Sequence, residues 1–159
     1  MMQNTDFGCQ FRPADCKDRT SLHELLHACW IEIYSPHVPA VVIERFKADD
    51  LVERHLDAFL SCTEIAVVNG DVIGSISHCF GAVHGLFVRE DFRGNRIGSS
   101  LLFNAELDGA CILDVAVFNR NATRFYERCG WKLCCYFEED VYSHRVQMIS
   151  MRSLSSRVA

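Results

Sequence analysis

Hydrophobic positions along the chain switch between a helical and an alternating period. Leu22, Leu25, Leu26, Cys29 and Trp30 recur at helical spacing, with Asp18, Thr20 or Ser21 as candidate caps, and Ser35, Pro36 and Pro39 end the pattern. Helical patterning resumes over residues 40–46 and again over 49–59, the latter behind two acidic residues that suit a helix start. Residues 64–68 are apolar and β-branched, Asn69-Gly70-Asp71 is a hairpin turn, and residues 72–80 and 83–88 continue as strands. A short strand is expected over residues 9–12, ended by Pro13. Residues 97–108 read as a helix with Ile97, Leu101, Leu102 and Ala105 buried, and residues 111–117 as a buried strand. A helix over 121–129 then ends at Gly130, strands follow over 131–137 and 146–151, and a turn is expected near 138–144. This order of strand, helices, three strands, helix, strand, helix and two strands predicts one α/β (α+β) domain, spanning residues 1–159, around a mixed sheet.

Composition narrows the class. The 159 residues are 49% hydrophobic and 23% charged, which suits a packed domain without metal or disulfide staples. No apolar run has membrane-spanning length, and the first residues lack a basic start followed by an apolar stretch. A cytoplasmic protein without a membrane partner is therefore expected. A net charge of −5 argues against nucleic acid, whose phosphates need a basic surplus. Nine cysteines without C-x-x-C spacing read as reduced thiols used as small apolar residues, as in Cys79 and Cys111.

The chemistry-bearing stretch is VHGLFVREDFRGNRIGSSLL, a strand running into a loop that opens a helix. Free N–H groups and the positive dipole end at a helix start attract phosphate. Gly94 and Gly98 allow close backbone approach, Arg93 and Arg96 add charge, and Ser99 or Ser100 offers a hydroxyl. The loop matches neither a Walker A sequence nor a G-x-G-x-x-G fingerprint. On these grounds an anion site and a solvated turn both stand.

The run from Leu86 to Leu102 resembles motif A of the GNAT superfamily of acetyl-CoA-dependent N-acetyltransferases, with Arg93, Gly94, Asn95, Arg96, Ile97 and Gly98 on its [RQ]-x-x-G-x-[GA] signature. Arg96 departs from it where the motif has its first glycine. LDVAVFNRNATRFYERCGWKL resembles motif B through Leu113, Val115, Asn119, Ala122, Phe125, Tyr126 and Gly130, with Trp131 in place of a phenylalanine. FRPAD, VNGDVIGSI and MISMRSL resemble the family's first strand, second hairpin and last strand, so the likeness covers nearly the whole chain. It implies a twisted, mostly antiparallel sheet of six to seven strands flanked by about four helices and splayed between the fourth and fifth strands. It further implies acetyl-CoA held by Leu86, Phe87 and Val88, by the loop from Arg93 to Ser99, and by Asn119, Ala122 and Phe125. The acetyl group would pass directly to an amine of a small molecule or peptide, without metal. Tyr126 falls on the family tyrosine that protonates the leaving thiolate, a task a phenol of pKa about 10 can perform. His84 matches a histidine that removes the acceptor's proton in arylalkylamine N-acetyltransferases, and period 2 places it on one strand face with Leu86. In both cases a packing or hydrogen-bonding role is the alternative, and His78 is a secondary candidate. The likeness also allows a homodimer.

Two other readings stand beside this one. His23-Glu24-Leu25-Leu26-His27 satisfies H-E-x-x-H, the zinc-hydrolase pattern, for which Glu44 or Glu53 would have to supply a third ligand. A domain that holds coenzyme A without turnover is the other. Trp30, Glu32, Tyr34, Glu44 and Phe46 are candidates to line the acceptor site.

Overall fold

Three two-residue turns organise the sheet. A computed structural model describes residues 8–154. Strands β2 (Thr63–Val68) and β3 (Asp71–Cys79) join through Asn69 and Gly70, and β3 joins β4 (Ala82–Val88) through Phe80 and Gly81. The last pair, β6 (Trp131–Val141) and β7 (His144–Ser153), joins through Tyr142 and Ser143. All six turn residues have positive φ, the geometry whose twist matches paired strands. Only the first turn carries the expected Asn-Gly. The turn expected near 138–144 is therefore shorter than its polar composition implied, because Glu138, Glu139 and Asp140 pair with Gln147, Val146 and Arg145.

The helices α1 (Arg19–Tyr34), α2 (Ala40–Asp49), α3 (Leu51–Phe59), α4 (Ile97–Leu107) and α5 (Arg120–Arg128) number five rather than about four. Asp50 explains why α2 and α3 are separate. It takes a left-handed conformation that stops the first, and its carboxylate accepts Glu53 N–H to start the second. With β1 (Gln10–Pro13) and β5 (Ile112–Ala116), the strand order is β1-β2-β3-β4-β5-β7-β6. Neighbours are antiparallel except β4 and β5.

The sheet is covered on both faces. One core gathers Ile97, Leu101 and Leu102 of α4 and Tyr126 of α5 over Ile73, Ile76, Leu113 and Trp131. The other packs Leu22, Leu25, Leu26 and Cys29 of α1 with Phe46, Val52 and Leu56. Cys9 and Cys29 are buried as expected of small apolar residues, whereas Cys111 is exposed, as are Cys16, Cys134 and Cys135.

An ion pair ties β1 to the start of α1. Arg12 donates to both carboxylate oxygens of the buried Asp18, at 2.7 and 2.8 Å, and Asp18 also accepts Asp15 N–H at 2.9 Å. The hydrogen bonds from Arg12 hold this carboxyl below the usual range. Asp18→Asn is expected to cost about 1.5–3 kcal/mol, the range for hydrogen bonds to charged groups. A depressed carboxyl stabilises the fold above its unfolded value near 4 and loses that contribution as pH falls through the folded value. The difference in Tm between the native chain and the variant should therefore be full at pH 7 and shrink at pH 3. An equal difference at both values would remove the ion pair as its cause.

Candidate functional site

Strands β4 and β5 part almost as soon as they meet. Only Ala82↔Ile112 and Val83↔Leu113 are paired, so from His84 onward β4 has no partner on its β5 side. Arg89 N–H donates to Ile73 C=O at 2.8 Å, and backbone groups alternate sides along a strand, so the amides of Leu86 and Val88 face the gap. A cavity of about 700 Å³ opens there. Its walls are residues 82–87 of β4, Leu113 to Ala116 of β5, Asn119, Ala122 and Tyr126, and the apolar side of α1–α3.

The register corrects one expectation. Ser77 pairs with Gly85 but His78 pairs with Val83, which leaves His84 as the extra residue of a β-bulge. Period 2 fails across a bulge. Leu86 packs into the core under α4 and α5, whereas His84 stacks on Phe59 of α3, ring centroids 4.1 Å apart. His84 and Leu86 thus share the cavity but not a strand face. Phe87 turns to the α1–α3 side, where its ring lies 2.8 Å from the position a Cβ on Gly85 would take.

Two groups in the cavity are held neutral. Burial first, then nearby Cys129, raises the Tyr126 phenol well above its ordinary value. Burial first, then His84, pushes His55 down to about 4. His55 was missed in the sequence. Its spacing held the signal, since Val52, His55, Leu56 and Phe59 fall at i, i+3, i+4 and i+7 on the buried stripe of α3. Trp30, Tyr34 and Phe46, candidates for the acceptor site, line the cavity. Trp30 is stacked with both of the others, at 4.2 and 3.6 Å, and burial followed by Glu139 pushes the Tyr34 phenol up to about 12. Glu32 and Glu44 lie outside the lining.

The loop from Arg93 to Ser99 lies beyond the cavity and opens α4. Ile97, Gly98 and Ser99 are the first residues of the helix, where amides lack intrahelical acceptors. Arg93 does not point its charge there. Its guanidinium takes Glu32 in a two-point contact at 2.6 and 2.8 Å, and its Nε donates to Val88 C=O at 2.9 Å. Arg96 is exposed and has no ion-pair partner among the described residues. It caps α4 with φ 61°, in the left-handed region that favours glycine. Asn95 donates to Phe92 C=O and Ser99 to Arg96 C=O, so both side chains brace the loop. Phe125 supports it from below, its ring 3.4 Å from where a Cβ on Gly98 would sit. Asn119 caps α5 by accepting Ala122 N–H at 3.2 Å, and both residues line the cavity.

The H-E-x-x-H residues take other partners. His23 and His27 stack at 6.0 Å, His23 bonds Asp50 at 2.8 Å, and Glu53 takes Arg19. No group of three metal-ligating side chains is gathered among the described residues. His78 lies in a separate cleft, 3.7 Å from Asp108. No described helix is long and apolar enough to cross a membrane.

The sequence model of the acetyltransferase (GNAT) family matches residues 19–131. No curated protein matches the chain by sequence. Among solved structures, the apo form of YjaB from Escherichia coli shares 19% identity over 92% of this chain and 97% of its own, with a TM-score of 0.75. A GCN5-related N-acetyltransferase from Rhodopseudomonas palustris shares 18% identity over 96% and 97%, with a TM-score of 0.72. The PaiA N-acetyltransferase from Thermoplasma acidophilum, in complex with coenzyme A, shares 18% over 88% and 97%, with a TM-score of 0.66.

The left-handed backbone at Arg96 has a measurable consequence. That conformation costs a non-glycine residue about 1–2 kcal/mol, while glycine loses roughly 0.5–1 kcal/mol more entropy on folding. Arg96→Gly should therefore leave Tm unchanged or raise it by a few degrees in thermal unfolding. A clear fall would mean that the Arg96 side chain stabilises the loop.

Proposed function

Because the chain belongs to the GNAT acetyltransferase family, we propose that it transfers the acetyl group of acetyl-CoA to a primary amine by direct attack in a ternary complex. The observation that carries this reading is the parting of β4 and β5, which leaves the Leu86 N–H facing a cavity that also holds His84 and Tyr126. An extended pantetheine arm, rich in amides, fits such a half-paired strand edge. The start of α4, with Arg96 as its unpaired cation among the described side chains, suits the diphosphate. Arg93 serves this loop by fixing it to α1 through Glu32.

The reaction needs three events. The acceptor ammonium gives one proton to His84, directly or through water, and its freed lone pair attacks the thioester carbon. The Leu86 N–H, unpaired on that side, donates to the oxygen as charge gathers on it. The C–N bond forms, the C–S bond breaks with its electron pair on sulfur, and sulfur receives a proton that leaves the nitrogen of the adduct. Tyr126 donates a hydrogen bond to this sulfur and relays the proton. Burial keeps its phenol protonated throughout the working range, which suits a donor rather than a base.

Transfer is tested by incubating the protein with acetyl-CoA and each of three amines, 2-phenylethylamine, spermidine and an alanine-initiated peptide, and following free thiol. Release dependent on at least one amine is expected. Coenzyme A binding without release on any of them would leave a binding domain in place of an enzyme. Tyr126→Phe should lower kcat by roughly 10²-fold, the low end for a positioned acid, while KM for acetyl-CoA stays within a few-fold. Unchanged kcat across pH would remove Tyr126 from the chemistry.

A further inference from the structure

A chain of hydroxyl groups runs from the core to the cavity, and its polarity is determined. Thr63 Oγ1 donates its one hydrogen to Phe59 C=O at 2.8 Å, at the end of α3. The 2.7 Å contact between Thr63 and Ser77 must then be donated by Ser77. Ser77 has no hydrogen left, so the 3.2 Å contact with His55 Nε2 must be donated by the imidazole. His55 is therefore the Nε2–H tautomer, with a lone pair on Nδ1. Thr63 and Ser77 are buried, and Ser77 sits opposite Gly85 beside the His84 bulge, so the chain is fixed to the sheet where the cavity opens. Phe59 closes the arrangement: its carbonyl ends the chain, while its ring stacks on His84 and leans on His55 at 4.9 Å.

His55 lines the cavity, and Nδ1 has no hydrogen-bond partner among the described residues. The low proton affinity of the buried ring leaves that lone pair available through the neutral range. The titratable and charged groups that share the cavity with it are His84 from β4, Asp114 from β5, Tyr126 from α5, Glu139 from β6, Tyr34 from α1 and Arg54 from α3.

We propose that His55 is a second residue of the acceptor site, its Nδ1 receiving an N–H of the incoming amine while the hydroxyl chain holds the ring in place. This rests on the acetyl-transfer reading above. In the step as written, the first proton leaves through His84 and the second passes from nitrogen to sulfur. His55 neither gains nor loses a proton; it orients the nitrogen so that its lone pair meets the thioester carbon.

The test pairs a spectrum with two substitutions. In the full-length protein labelled with ¹⁵N-histidine, the His55 ring should show the Nε2–H tautomer; an Nδ1–H ring overturns the assignment. Glutamine places its amide near Nε2, keeping the contact to Ser77 while losing the acceptor at Nδ1, whereas asparagine places its oxygen near Nδ1. With 2-phenylethylamine, His55→Gln should lower kcat/KM for the amine by at least about tenfold at native KM for acetyl-CoA and native Tm, and His55→Asn should recover most of the loss. A purely structural role predicts the reverse order, so His55→Gln at native kcat/KM overturns the proposal. Should His55→Gln not fold, Ser77→Ala takes its place, with a raised KM for the amine and a mixed tautomer expected and an unchanged KM and tautomer overturning it. A native protein that transfers to none of the three amines ends the transfer reading and this role together, while native transfer matched by His55→Gln ends this role alone.

Discussion

The parting of β4 from β5 is the constraint on which the rest of the molecule depends. A sheet interrupted at its middle leaves backbone N–H and C=O groups without ladder partners, and such groups need other partners or water. The two halves must also be held together by something other than hydrogen bonds. Side chains do this: the core under α4 and α5 draws on Ile76 and Val83 from one half and on Leu113, Val115, Ile149 and Met151 from the other. Arg93 satisfies the Val88 carbonyl and is itself tied to Glu32, so one arginine links the end of β4 to α1. The β7 strand, paired on both sides, stiffens the second half.

The cavity made by that gap sets its own electrostatics. Burial favours the uncharged form of any titratable group, and here it acts on an acid and a base alike. Tyr126 keeps its proton and His55 stays without one, so the phenol is able to donate and the neutral imidazole to accept. The bulge separates His84 from the strand's regular alternation and brings it to α3, so two imidazoles flank one phenyl ring. In the proposed reaction that division of senses orders the proton movements.

Much of the architecture was legible in the chain. Apolar spacing identified each strand and α-helix among the described residues, with most boundaries within one to three residues, because burial on one face imposes a period that short-range chemistry cannot hide. Asn69-Gly70 identified its turn for the same local reason. The breaks expected between residues 80 and 83 and near 138–144 are also turns, but no Asn-Gly or Asp-Gly marks their two-residue form, and pairing of the flanking strands drives Phe80-Gly81 and Tyr142-Ser143 into left-handed backbone. The length of β6 was hidden likewise: Glu138 to Asp140 look like loop residues, and only their partners on β7 make them a strand.

At the site, the sequence by itself nominated His84, Tyr126, Asn119 and the glycine–arginine loop as candidates, because motif spacing and helix-start chemistry are local. Tertiary structure decided what each one faces. It bound Arg93 to a glutamate sixty-one residues away and left Arg96 in the backbone conformation of a glycine. It also turned His84 off its strand face and joined His55 to Ser77 and Thr63 from two other elements. Side-chain partners drawn from distant segments depend on register, and a bulge shifts register by one residue where the apolar pattern alone does not fix it.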